Sequence, residues 1–200
     1  MYSFFYYLIY PFFRLFCHFK VTGRENIPSK GNYIVIANHT AYKDPLILAY
    51  TIRHKNVRFI AKDDLQRFFF FRILFKAARI IAIKRNSSDL NALRESVKAL
   101  ENGDNLCIFP QGTRIKGEAP CKEQALAGVG LIIAKSKCDV LPVAIKFPND
   151  AGGLRNIKVS VGKPISYDEY MKLDENGEPP RRVETAQYVF EKVCEMHRNM

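Results

Sequence analysis

Short, β-rich apolar runs that stop abruptly at polar residues alternate along this chain with stretches of helical spacing, without any internal sequence repeat. Tyr33–Ala37 (YIVIA) is the clearest run, with similar ones at Val57–Ala61, Ile80–Ile83, Leu106–Phe109 and Val140–Phe147 and a weaker one at Ile157–Val161. Apolar runs this short, bounded by polar or turn residues, read as buried strands. Between them lie helical patterns at Asp89–Leu100, ending before Gly103, and at Ala125–Ser136. A C-terminal helix places Val183, Ala186, Val189, Phe190, Val193 and Met196 on one face. Alternating strand and helix predicts an α/β fold, with a mostly parallel mixed sheet flanked by helices and its sites at the carboxyl ends of the strands. The 200 residues suffice for one hydrophobic core without disulfides. Five cysteines stand singly, with no C-x-x-C, so neither a disulfide frame nor a zinc ligand set is legible, and reduced thiols in a cytoplasmic setting are expected. Asp174–Arg182 is the only linker-like stretch.

Charge is unevenly placed. Of a net +11, residues 1–85 carry 15 Lys/Arg against 4 Asp/Glu, whereas residues 86–200 carry 16 of each. The basic half lacks the recognition helices, zinc spacings and aromatic signatures of nucleic-acid readers, so no nucleic-acid partner is expected. It instead shares its length with aromatics, as in residues 2–19 (YSFFYYLIYPFFRLFCHF) and Phe59–Lys76 (FIAKDDLQRFFFFRILFK). Pro11, Arg14 and His18 interrupt the first run, which makes it a poor membrane span, and it lacks the basic start and small-residue cleavage site of a signal peptide. The expectation is a membrane-interfacial helical segment over residues 1–20, resting on anionic lipid, ahead of a folded domain over residues 21–200. A core-packed N-terminal helix is the competing reading.

Two loops carry the chemistry. Asn38-His39-Thr40-Ala41-Tyr42-Lys43-Asp44 follows the first apolar strand directly. Imidazole is well matched to accept a proton near neutral pH, and a carboxylate beside it fixes the tautomer and stabilises the imidazolium. Residues five apart on a helix diverge by about 140°, so a His39–Asp44 dyad requires a loop between them. Asp44 before Pro45 also reads as a helix N-cap with Pro at the first helical position. The motif alone leaves both readings, and a structural His39, open. Phe109-Pro110-Gln111-Gly112-Thr113-Arg114 follows another strand. Its Gly allows close backbone approach, Thr offers a hydroxyl, and Arg presents a planar fork matched to phosphate oxygens; a plain Pro-Gly turn is the alternative. Ile83-Lys84-Arg85 brings two more cations to the same expected edge, or simply ends a strand in solvent.

In combination and order these blocks resemble the glycerolipid acyltransferase family. NHTAYKD is similar to its NHxxxxD motif, FPQGTR to its FPEGTR motif, and VLPVAI (Val140–Ile145) to its Pro-containing fourth block, the resemblance running roughly from Val21 to Ile165. Within the family the chain is most similar to short bacterial acyltransferases that act on lysophosphatidic acid. The resemblance implies that His39 is the general base with Asp44 as its partner. It also implies that Lys84, Arg85, Gln111, Gly112, Thr113 and Arg114 line the site for the acceptor phosphate. Two departures stand out: Gln111 replaces the usual Glu, and Arg79 stands where the second block usually has Gly.

The expected reaction is direct transfer of a fatty acyl group from an acyl thioester to the sn-2 hydroxyl of 1-acyl-sn-glycerol 3-phosphate, giving phosphatidic acid. No G-x-S-x-G elbow and no cysteine in either motif suggests a covalent acyl-enzyme. The expected co-substrate is acyl-CoA or acyl carrier protein, with no cofactor or metal, at the cytoplasmic face of the cell membrane. Competing readings are an acyltransferase for glycerol 3-phosphate or another lyso-lipid, a non-catalytic membrane-binding module, and a thioesterase.

Overall fold

The computed structural model describes residues 17–52, 56–62, 79–83, 90–148 and 156–200, together with Pro11. Most of the aromatic N-terminal run, residues 63–76 of the second basic-aromatic run and the pair Lys84–Arg85 lie outside the described residues. Among the described residues seven strands form one sheet: β1 (Phe19–Thr22), β2 (Tyr33–Ala37), β3 (Val57–Lys62), β4 (Ile81–Ile83), β5 (Asn105–Ile108), β6 (Asp139–Lys146) and β7 (Ile157–Val161). Their spatial order is β1-β7-β6-β2-β5-β3-β4. Every neighbouring pair is parallel except β6 with β7, so the sheet is mostly parallel and mixed, as the alternating pattern predicts. The α-helices among the described residues are α1 (Asp44–Ile52), α2 (Leu90–Glu101), α3 (Ala127–Ser136), the single turn α4 (Tyr167–Tyr170) and α5 (Arg182–Arg198). Among the described residues no helix is long and apolar enough to cross a membrane.

β2 lies in the middle of the sheet and is buried along its whole length. Its alternate side chains enter two cores, one on each face. Ile34 and Ile36 join Leu106, Ile108, Val140 and Ala144 under α2, α3 and α5. Tyr33, Val35 and Ala37 join Cys107, Leu141, Val143 and Ile145 under Ile47, Leu48 and Ile52 of α1. This double burial is why the run reads as continuously apolar rather than alternating. From β2 the chain passes through α1 to β3 on one side, and from β5 it passes through α3 to β6 on the other. Connections diverging from adjacent strands to opposite faces open a crevice at their carboxyl ends. Both polar motifs enter that crevice.

Several expected boundaries shift. β1 is an addition to the predicted strands, and it draws Phe19 and Lys20, the end of the expected interfacial segment, into the sheet. α3 begins at Ala127 rather than Ala125, because a 3-10 turn at Lys122–Gln124 leads into an extended Leu126. The cap reading of Asp44 is corrected: Ile47 N–H bonds the Lys43 carbonyl at 3.0 Å, which makes Lys43 the N-cap position and Asp44 the first helical residue, with Pro45 second. Pro there still lacks only an N–H that a helix start leaves without an intrahelical partner.

Candidate active site

The tip of β2 is fixed before the site begins. Asn38 is buried, and its side-chain amide both accepts from Ile145 N–H and donates to Ile145 O, each at 2.8 Å. The side chain thus extends the pairing with β6 by one peptide equivalent, while the main chain is released to turn. His39 follows. Its Nδ1 lies 2.8 Å from Asp44 Oδ2, and the same oxygen accepts the backbone N–H groups of Thr40 at 2.7 Å and Ala41 at 2.8 Å. The loop that sequence spacing demands is therefore wound around the Asp44 carboxylate, which does not cap the helix behind it. Asp44 is fully buried and His39 retains 14% side-chain exposure. A carboxylate held by two N–H donors can only accept at its shared oxygen, so Nδ1 carries the imidazole proton and Nε2 presents its lone pair outward.

The second loop closes over the first. The Phe109 ring stacks on the His39 imidazole, with centroids 4.2 Å apart and planes at 19°. Ile115 N–H donates to the His39 carbonyl at 2.9 Å. Gln111 is buried, and its amide oxygen accepts the His39 backbone N–H at 2.7 Å while its amide nitrogen donates to Gln124 Oε1 at 2.7 Å. Gln111 thus sits behind His39 and joins the loops. A Glu here would still accept from His39 but would set a carboxylate oxygen against the Gln124 carbonyl, so Gln111 and Gln124 match as a pair. Gly112 has φ 62°, a left-handed conformation that calls for glycine, and the only atoms of the described residues near its Cβ position belong to the exposed Leu126 side chain, which can turn aside. Thr113 is exposed, and the Arg114 guanidinium lies 3.5 Å above the ring of Tyr42 from the first loop.

His39, Asp44, Gln111, Gly112, Thr113 and Arg114 are therefore gathered in one crevice, while Lys84 and Arg85 lie outside the described residues. Arg79, the second departure from the family pattern, is remote from this crevice. It precedes β4, at the amino edge of the sheet, and has a left-handed φ of 52°, which explains why glycine suits the position. Its guanidinium instead joins Arg58 on the buried Asp104 carboxylate, with N–O distances of 3.0 Å and 2.7 Å. Sequence reasoning missed Asn38 as a strand-extending amide, Gln124 and Tyr42. A buried Asn directly after a strand is a signal for the first, whereas the other two become visible only when the loops are placed together. Among the described residues no three His, Cys, Asp or Glu side chains gather as a metal cluster.

A family model described as Acyltransferase matches residues 18–146. The 1-acyl-sn-glycerol-3-phosphate acyltransferase of Borreliella burgdorferi is 40% identical over 99 residues, covering 48% of this chain and 39% of that protein. The chain therefore spans well under half of that relative's length. The protein of the same name from Bacillus subtilis is 23% identical over 157 residues, covering 77% of each. A crystal structure of the 1-acyl-sn-glycerophosphate (LPA) acyltransferase PlsC from Thermotoga maritima superposes with a TM-score of 0.74 at 25% identity, covering 99% of this chain and 80% of that one. The family match takes in both loops and the strands that deliver them, and this chain belongs to the acyltransferase family.

Proposed function

We propose that the chain acylates the sn-2 hydroxyl of 1-acyl-sn-glycerol 3-phosphate with a fatty acyl group from an acyl thioester, giving phosphatidic acid. The observation that carries this reading is the His39 Nδ1–Asp44 Oδ2 contact of 2.8 Å, on a carboxylate already held by two backbone amides and beside the Arg114 loop. His39 Nε2 takes the hydroxyl proton as the oxygen attacks the thioester carbonyl carbon. The tetrahedral oxyanion collapses, the C–S bond breaks, and the departing thiolate takes the proton back from the imidazolium. Ester and thiol are the products, and the base is regenerated. Asp44 stabilises the transient imidazolium without itself changing protonation. Arg114, with Lys84 and Arg85, supplies the positive charge that holds the acceptor phosphate. Gly112 and Thr113 bring the backbone and a hydroxyl close to it. The names of the bacterial relatives support the same acceptor.

The thiol carrier is coenzyme A or acyl carrier protein, both acidic and both suited to a chain of net charge +11. The basic, aromatic first half supports work at the cytoplasmic face of the cell membrane, as a peripheral or monotopic protein bearing on anionic lipid, with the aromatic residues ahead of β1 as the interfacial segment. The test is release of thiol from each donor, with and without lysophosphatidic acid. Acceptor-dependent release that falls by about 10² to 10⁴ in His39→Ala, with the fold intact, is the expected result. Release without acceptor would identify a thioesterase instead, and equal rates in the variant would remove His39 from the mechanism.

A further inference from the structure

Tyr42 occupies one of the positions that the NHxxxxD pattern leaves open, and its ring carries the Arg114 guanidinium, whose central carbon lies 3.5 Å from the ring centroid. At that distance a guanidinium nitrogen aimed into the ring would overlap it, so the planar group lies flat along the face. Stacked in this way, a guanidinium keeps its N–H donors at its rim, directed sideways, and gives none of them to the ring. Among the described residues Arg114 meets no carboxylate within ion-pair distance. Both ends of the stack stand on fixed backbone. Tyr42 follows the Thr40 and Ala41 N–H groups that bind Asp44 Oδ2, and Arg114 precedes the Ile115 N–H that donates to the His39 carbonyl at 2.9 Å. The floor beneath the guanidinium is therefore held by the same contacts that hold the base.

We propose that Tyr42 is a positioning residue for the acceptor: it keeps Arg114 as a flat, preformed fork whose outward edge meets the acceptor phosphate. This rests on the reading that Arg114 holds the phosphate of lysophosphatidic acid, and deepens it. A free arginine side chain has many rotamers to give up on binding, and a ring beneath the guanidinium removes part of that loss before the acceptor arrives. The stack leaves the bidentate N–H edge open, whereas an ion pair with a carboxylate would occupy it. Because the ring acts on binding and not on the reacting atoms, its effect falls on the KM for the acceptor rather than on kcat.

The experiment follows thiol release by the full chain at saturating acyl donor, as lysophosphatidic acid is varied in detergent micelles. Tyr42 is 68% exposed, so its variants leave the core intact. Tyr42→Leu is apolar but has no π face. It is expected to raise the KM for lysophosphatidic acid about 5- to 30-fold, the worth of a cation–π stack from an exposed to a desolvated site, with little change in kcat or in the KM for the donor. Tyr42→Phe keeps the face and is expected to match the wild type. In an Arg114→Gln background the Tyr42→Leu change is expected to add nothing, since the ring acts through the guanidinium. Should Arg114→Gln be too slow to measure, Leu against Phe decides alone. Leu and Phe variants that behave alike, or a Tyr42→Leu effect undiminished in the Arg114→Gln background, would overturn the proposal, as would a loss confined to kcat. A wild type that does not acylate lysophosphatidic acid, or an Arg114→Gln variant with an unchanged acceptor KM, removes the acceptor reading and the proposal with it. A raised KM in Arg114→Gln beside a normal one in Tyr42→Leu sinks the stack alone.

Discussion

An imidazole acts as a base only when its proton is parked on the correct nitrogen, and here one carboxylate oxygen does that while also holding the loop. Asp44→Asn keeps an oxygen for the Thr40 and Ala41 amides but gives up the charge that steadies the imidazolium. It is expected to lower kcat by about 10² or more with little change in melting, since charge loss at an intact geometry acts on the transition state. Asp44→Ala is expected to lose the same activity and, in addition, about 2–5 kcal/mol of stability in chemical denaturation, because two backbone N–H groups lose their acceptor at a fully buried site. Equal stability of the two variants would separate the loop from the dyad. The motif alone left a His39–Asp44 dyad open beside the cap reading, and the pairing was legible only through the resemblance of NHTAYKD to the family's NHxxxxD. That the same oxygen serves three donors was not legible, nor that Gln111 faces His39 from behind, since those depend on two loops 72 residues apart meeting.

Packing of α3 against α5 rests on a single missing methyl group. A Cβ on Gly130 would fall 1.8 Å from the Arg182 carbonyl oxygen and 3.1 Å from Ala186 N, all backbone and unable to turn aside. Gly128, two residues earlier and about 200° around the same helix, is exposed and has nothing within 4 Å of its Cβ position. Gly130→Ala is therefore expected to cost about 1–3 kcal/mol, roughly 3–10 °C in Tm, from forced separation of the helices. Gly128→Ala is expected to gain about 0.5–1 kcal/mol from reduced freedom of the unfolded chain. Opposite signs in thermal melts would check the contact. The helices were legible in the sequence from their apolar spacing, as were the central strands from uninterrupted burial. β1 was hidden because Phe19–Thr22 alternates between half-buried and exposed at the sheet edge and follows an aromatic run that masks its start.

Over the whole molecule, the same double-sided core that made the central strands legible also encloses ionisable groups that must stay neutral. Burial pushes the Cys107 thiol well above its ordinary value and that of Cys194 up to about 12, and burial likewise raises the Tyr170 hydroxyl, which donates to the Cys138 carbonyl at 2.7 Å. In the unfolded chain these thiols lose their protons near the ordinary value of 9.0, whereas the folded chain keeps them. Above about pH 9 the unfolded state therefore binds fewer protons than the folded one, and stability falls as pH rises. Each such thiol contributes up to about 1.4 kcal/mol per pH unit to that fall, fully developed one unit past its unfolded value. The loss for Cys194 ends as pH passes about 12, where the folded thiol ionises too. Urea denaturation from pH 8 to 11 is expected to show this decline, and Cys107→Ala, although less stable at pH 8 from the small cavity it leaves, is expected to decline less steeply. Parallel slopes for the variant and the wild type would mean that the alkaline sensitivity lies elsewhere than in the buried core of β5.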